Sequence, residues 1–232
     1  MPRTAKPTDI DLKAAAKKAI AEATSGSHDL TITIPEIEKR KVVIRVVGDT
    51  PLITHCWSEK AKEMMRIKQT KGAALAKSAK NAAEDVDGAT YWLDKEKGHV
   101  GFPAIAFKAS MVDAAVALGG KKTETRRAFR IVGIPTVQYG ELVKIEYQEM
   151  VQREDMVRVG MGTADLRYRP EFRGWHADVT FIYDARQISP AQIISLLNQA
   201  GFSTGIGEWR PERDGSYGMF SATEIIGDIT PQ

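Results

Sequence analysis

ADVTFIYDARQISPAQIISLLNQAGFSTGIGEWRPERDGSYGMF, running from Ala177 to Phe220, decides how the rest of the chain is read. Ala177–Tyr183 mixes β-branched and aromatic side chains in the manner of a buried strand. A helix start follows. Ser189 takes the N-cap, Pro190 falls at the first helical position, where its missing N–H costs nothing, and Gln192 completes a capping box. Ile188 and Ile193 are spaced as a hydrophobic staple. Ile193, Ile194, Leu196, Leu197 and Ala200 form the apolar stripe, and Gly201 is expected to supply the left-handed stop. A loop holding Gly205, Gly207, Gly215 and Gly218 comes next, and Gly218–Ile226 is expected to close the chain as a strand.

Upstream, the dense β-branched run Lys41–Val47 predicts a central strand, and Leu30–Ile34 a weaker one. A helix is expected after Ser58. The Lys-, Ala- and Ser-rich stretch from Lys68 to Asp87 fits either a loosely held helix or a loop. Ala89–Asp94 and His99–Phe102 flank the turn KEKG as a hairpin, and Pro103 opens a helix that Gly119 and Gly120 end. Leu142–Tyr147 and Met156–Val159 are further candidate strands. This order points to an α+β fold with antiparallel pairing. The expected form is a ferredoxin-like (RRM-like) sheet with helices on one face, plus insertions and an N-terminal helical arm. Residues 1–28 read as the arm, and residues 29–232 as one domain with an insertion at about 121–172.

The 232 residues are enough to bury a core without crosslinks. A single cysteine, Cys56, excludes an internal disulfide. No signal peptide or membrane-spanning stretch is visible, so the cytoplasm is the expected location. His28, His55, His99 and His176 are too scattered for a metal motif, and no metal or organic cofactor is expected. Gly205-Ile206-Gly207 lacks the third glycine of a dinucleotide fingerprint. Gly119-Gly120-Lys121 ends a helix, where the dipole disfavours anions.

The net charge of +3 conceals local clustering. One cluster comprises Lys121, Lys122, Arg126, Arg127 and Arg130 around Phe129. A second comprises Arg167, Tyr168, Arg169, Phe172, Arg173, Trp175 and His176. The third, Trp209, Arg210, Arg213 and Tyr217, lies within the glycine loop. Guanidinium groups fork onto phosphates and flat rings stack on unpaired bases, so this mixture suits a single strand. Gly205, Gly207, Gly215 and Gly218 would let a phosphate backbone approach the main chain. Glu208, Glu212 and Asp214 oppose that charge. Each cluster also has a plain reading: KKTETRR as a solvated loop, RYRPEFRGW as an ordered surface loop, and the glycine segment as a connection.

Three segments in order resemble the RAMP superfamily, the ferredoxin-like RNA-binding proteins of CRISPR systems. They are VVIRVVGDTPLITH, HVGFPAIAFKASMVDAA and GFSTGIGEWRPERDGSYGMF. The resemblance implies that Lys108 contacts a nucleic-acid backbone and that Gly205, Gly207, Gly215 and Gly218 shape the groove. Ala109 stands where the family usually has glycine, which points to a divergent relative. General resemblance to phage proteins makes a phage-encoded one the expectation.

The expected function is therefore non-catalytic binding of single-stranded RNA or DNA by a homo-oligomer assembling head-to-tail along the strand. Lys108, Arg126, Arg127, Arg130, Arg167, Arg169, Arg173, Arg210 and Arg213 would meet phosphates, and Trp175, Trp209, Tyr168 and Tyr217 would stack. No membrane partner is expected. Two other readings are a metal-independent endoribonuclease using His55 and a structural, CRISPR-subunit-mimicking protein that binds no nucleic acid.

Overall fold

A computed structural model describes residues 36–57, 59–71, 81–159 and 163–231. The expected N-terminal arm, the strand Leu30–Ile34, the cap Ser58 and His28 lie outside the described residues. Ile37–Gln232 form one compact α+β unit.

Three antiparallel sheets carry the fold. In chain order the strands are β1 (Lys39–Gly48), β2 (Leu52–Ile53), β3 (Trp92–Asp94), β4 (His99–Pro103), β5 (Phe129–Val132), β6 (Ile134–Thr136), β7 (Gly140–Ile145), β8 (Glu149–Val159), β9 (Thr163–Arg173), β10 (His176–Asp184) and β11 (Phe220–Pro231). The helices are α1 (Glu59–Lys71), α2 (Ala82–Gly88), α3 (Ala104–Ala117), α4 (Lys122–Ala128) and α5 (Pro190–Ser203). The main sheet has the order β11-β1-β10-β5, and the others are β2-β9-β8 and β3-β4-β7-β6.

Alternation along β1 and β10 divides the main sheet into two faces. Val42, Ile44 and Val46 point with Ala177, Val179, Phe181 and Tyr183 into the core, where Phe107 and Met111 of α3 and Ile193 and Leu197 of α5 meet them. Aromatic contacts lock the layers. Phe107 and Phe220 stand 5.9 Å apart, Trp175 and Phe220 6.3 Å, and Phe129 and Phe181 5.8 Å. The opposite face carries Val43, Arg45, Val47, Asp178, Thr180 and Ile182 and has no large ring to offer a base. Arg45 instead forks onto Asp178 at 2.7 and 2.9 Å and reaches Glu224 at 3.2 Å. The β1–β11 pairing slips register between Lys41 and Val43, Val43 and Ile44, and Arg45 and Val46, so the outer strand is bent along its length.

The capping box of α5 forms as its spelling requires. Ser189 Oγ accepts from the Gln192 N–H, and Gln192 Oε1 accepts from the Ser189 N–H at 2.9 Å. The stop is displaced, however. Gly201 remains helical, and the left-handed residue is Gly205 at φ +67°. Gly201 is required for a different reason: a Cβ there would sit 1.6 Å from the carbonyl oxygen of Phe220.

The region 121–173 departs most from expectation. KKTETRR is not a loop but the N-cap and body of α4, and Arg167–Arg173 of RYRPEFRGW belong to β9, the middle strand of its sheet. Glu149 faces Arg173 and Asp155 faces Arg167 across β8 and β9, and the like-charged pair Arg153 and Arg169 is bridged by Asp155 at 2.7 and 3.0 Å. Cross-strand charge pairing thus holds a strand whose own sequence reads as surface.

Candidate nucleic-acid interface

Lys108 sits on the first turns of α3, which β4 delivers through Pro103 as N-cap rather than first helical residue. Ala104, Ile105 and Lys108 form one wall of a cleft of about 460 Å³. Arg130 and Ile131 of β5 form another, and Tyr139, Gly140 and Glu141 at the β6–β7 turn complete it. The Lys108 ammonium lies 5.7 Å from the centre of the Phe129 ring. Burial, together with the charges of Arg126 and Arg130, pushes its pKa below the ordinary lysine value. Arg126 and Arg127, on the last turn of α4, are exposed and have no carboxylate partner among the described residues. Arg130 touches Glu141 only at 3.4 Å. Ile105, 76% exposed, adds an aliphatic surface beside these cations.

The glycine loop is built differently. Its glycines are required by the chain's own packing. A Cβ at Gly207 would lie 2.4 Å from Ile53 O, at Gly215 1.8 Å from Trp209 O, and at Gly218 1.7 Å from Ile206 O. At Gly205 it would lie 2.7 Å from Pro211 Cδ. The loop folds onto the β8–β9 hairpin through an ion-pair chain. Arg173 meets Glu149 at 3.3 Å and Glu171 at 2.8 Å, and Arg153 meets Glu171 at 3.0 Å and Asp155 at 2.7 Å. Arg169 continues it to Asp155 at 3.0 Å and Glu208 at 3.7 Å, and Glu208 ends it at His55 Nδ1, 3.5 Å away. Arg153 also lies 4.6 Å from the centre of the Tyr217 ring and donates to its hydroxyl at 2.8 Å. The Trp209 indole N–H donates to Asp155.

Several expected contacts are thereby corrected. Trp175 is wholly buried in the core, its indole N–H donating to Thr50 O at 2.8 Å, so its ring meets no base. Arg169 is 3% exposed and Arg173 is bound by two carboxylates, so both serve the hairpin. Arg167 lies 3.8 Å from Asp165. Tyr168 points to the other side of β9 from these arginines and hydrogen-bonds Glu154. Arg210 is held by Glu212 at 2.7 and 2.9 Å and by Gly207 O at 3.0 Å. Arg213 is exposed and has no carboxylate partner among the described residues, and Trp209 is 40% exposed. Sequence reading passed over Arg153, whose signal is its place in the charged alternation of β8, and Tyr139, which stands alone beside a turn.

The expected single groove is divided between the two sides of α3, and the cleft on the glycine-loop side sets Asp113, Glu208 and Glu212 against Arg210. Ala104, Ile105 and Lys108 line one side of α3. Ala106, Ala109, Ser110 and Asp113 line the other, in a cleft of about 280 Å³ shared with His55, Tyr91, Gly205, Gly207 and Arg210. Burial pushes the Tyr91 hydroxyl up to about 12. A neighbouring cleft of about 400 Å³ gathers Val157, Arg169, Glu208, Trp209, Arg210 and Arg213. Arg173 lines none of the three.

Among solved structures, the chain is similar to one in the cryo-EM structure of the type III-B Cmr-beta bound to cognate target RNA. Identity is 9% and the TM-score 0.48, covering 97% of this chain and 68% of that one. It is also similar to Cmr6 from Pyrococcus furiosus, at 9% identity and a TM-score of 0.39, covering 81% of this chain and 100% of that one. No family model matches the chain, and no curated protein matches it. Among the described residues there is no group of three or more His, Cys, Asp or Glu able to hold a metal ion, and no helix long and apolar enough to cross a membrane.

The Glu208 anchor carries a pH dependence. The hydrogen bond from His55, aided by the charges of Arg169 and Arg210 and opposed by burial, holds the Glu208 carboxyl below its ordinary value. In acid the unfolded chain then binds a proton more readily than the folded one at this group, so its contribution is complete above the ordinary carboxylate range. It is lost as pH falls through the depressed folded value. Glu208→Gln is expected to flatten the acid limb of a stability–pH profile measured by urea unfolding. An unchanged limb would remove Glu208 as its source.

Proposed function

We propose that this chain is a non-catalytic protein that binds single-stranded RNA or DNA, with the cleft at Lys108 as its principal contact. The observation that carries the reading is the gathering of Lys108, Arg126 and Arg130 without a close carboxylate among the described residues beyond the long Arg130–Glu141 contact. Like charges held this close oppose one another in the free protein, and a run of phosphates relieves that opposition. The exposed Trp209 and Arg213 across α3 form a second contact, which a flexible strand reaches by crossing a helix roughly 10 Å wide.

The scaffold supports the reading. In the order β11-β1-β10-β5, β1 leads through α3 to β5, and β10 leads through α5 to β11. That order agrees with a ferredoxin-like sheet, to which the strands of the other two sheets would be additions. Head-to-tail association along the strand belongs to the same proposal. The exposed Val116 and Leu118 beside an apolar cleft of about 560 Å³ between α3, α4 and α5 offer the surface for it.

The test is a titration of a labelled single-stranded oligonucleotide at several salt concentrations. The log–log slope is expected near −0.7 for each phosphate neutralised. A flat slope, or no binding at low salt, removes the reading. A second reading has one observation in its favour: His55 pairs with Glu208 in a cleft that also holds Arg210. RNA left uncut by the purified protein agrees with the binding role. Cleavage abolished by His55→Ala establishes the endoribonuclease instead.

A further inference from the structure

In the wall of the Lys108 cleft formed by the β6–β7 turn, Tyr139 has no role in the charge argument, yet the turn fixes it through several contacts. The hydroxyl of Thr136 donates to Gly140 O at 2.7 Å, and the Tyr139 N–H donates to that same hydroxyl at 3.0 Å. Gly140 closes the turn at φ +73°, a conformation side chains rarely adopt. The Tyr139 ring is braced from one side by the edge-to-face contact with Tyr91, with centres 5.3 Å apart and planes at 78°. Over the ring stands the Lys62 ammonium of α1, 6.0 Å from its centre. A ring fixed in a cleft lined by Lys108 and Arg130 is placed where the base attached to a bound phosphate must go.

Resting on the binding role argued above, we infer that Tyr139 is the stacking platform of the Lys108 cleft and Lys62 its movable cover, which together select unpaired bases over a duplex. The half-buried Lys62 stands 6.0 Å from the ring centre, at the outer limit of such contacts, so it contributes less than a stacked base. An incoming base therefore displaces Lys62, whose long stem carries the ammonium to the adjacent phosphate. A duplex keeps its base faces hidden and gains only the phosphate contacts.

The test compares Tyr139→Leu, Tyr139→Phe and Lys62→Ala in the full chain, using a single-stranded oligonucleotide, the same strand made abasic, and a duplex of equal length. Tyr139→Leu is expected to weaken the single strand roughly 10-fold with its salt slope unchanged, and Tyr139→Phe to bind like the wild type. Neither is expected to alter binding of the abasic strand or the duplex. Lys62→Ala should make the slope shallower by about 0.7. Tyr139→Leu matching the wild type on the intact strand, or losing equally on the abasic strand, overturns the inference while the charged cleft stands. Failure of the wild type to bind any of the three removes the underlying reading.

Discussion

Gly201→Ala is expected to destabilise the folded protein by about 3 kcal/mol or more, although it places a better helix former inside a helix. The propensity gain is about 1 kcal/mol. Against it, the new Cβ would lie 1.6 Å from Phe220 O and 2.6 Å from the carbonyl carbon. Both are backbone atoms at the start of β11, and they cannot rotate aside as a side chain would. Phe220 is also part of the core, in contact with Phe107 and Trp175. Relief therefore requires α5 and β11 to move apart, which opens the layer they share. Urea unfolding measures the change. A midpoint equal to or above that of the wild type would show that Gly201 is not a close-packing position.

Reversing charge at both Lys108 and Arg126, as Lys108→Glu with Arg126→Glu, is expected to weaken single-strand binding by more than about 100-fold at low salt. The slope should become shallower by about 1.4, at roughly 0.7 for each lost phosphate contact. The stability of the fold should change little, because Arg126 is exposed and has no carboxylate partner among the described residues. Arg210→Glu is the instructive comparison. Arg210 is already held by Glu212 and by Gly207 O, so it offers a strand less charge and should cost far less binding. Equal losses from the two changes would mean that the glycine-loop side receives the strand as much as the Lys108 side does.

How far the sequence showed this arrangement depends on where each signal is encoded. The end of the chain was legible because its instructions are local. Ser189, Pro190 and Gln192 spell a helix start within four residues, and the alternation of β10 is uninterrupted. The cation cluster was legible in part, since Arg126, Arg127 and Arg130 lie within five residues, and Lys108 joins them only through the packing of α3 on α4. The second basic cluster was misread because its partners are distant. Glu149 and Asp155 lie on a neighbouring strand, and nothing in RYRPEFRGW announces them. Trp175 looked like a stacking residue from its arginine neighbours. Its position is set by Gly48, where a Cβ would stand 2.1 Å from the indole nitrogen. A glycine 127 positions earlier thus decides the role of the ring, and no pattern of spacing records that. Tyr139 was missed for the same reason: its neighbours Lys62 and Tyr91 are brought to it by the fold.

The broken register between β1 and β11 bears on how copies of the protein can meet. A straight, regular outer strand is a template onto which another chain can add by main-chain pairing, and that route leads to aggregation. Here one margin of the main sheet is bent and the other, β5, is four residues long. Neither margin invites extension of the sheet from one molecule into the next. Neighbours on a common strand would have to recognise one another through side chains, which leaves their spacing to be dictated by the polymer they share.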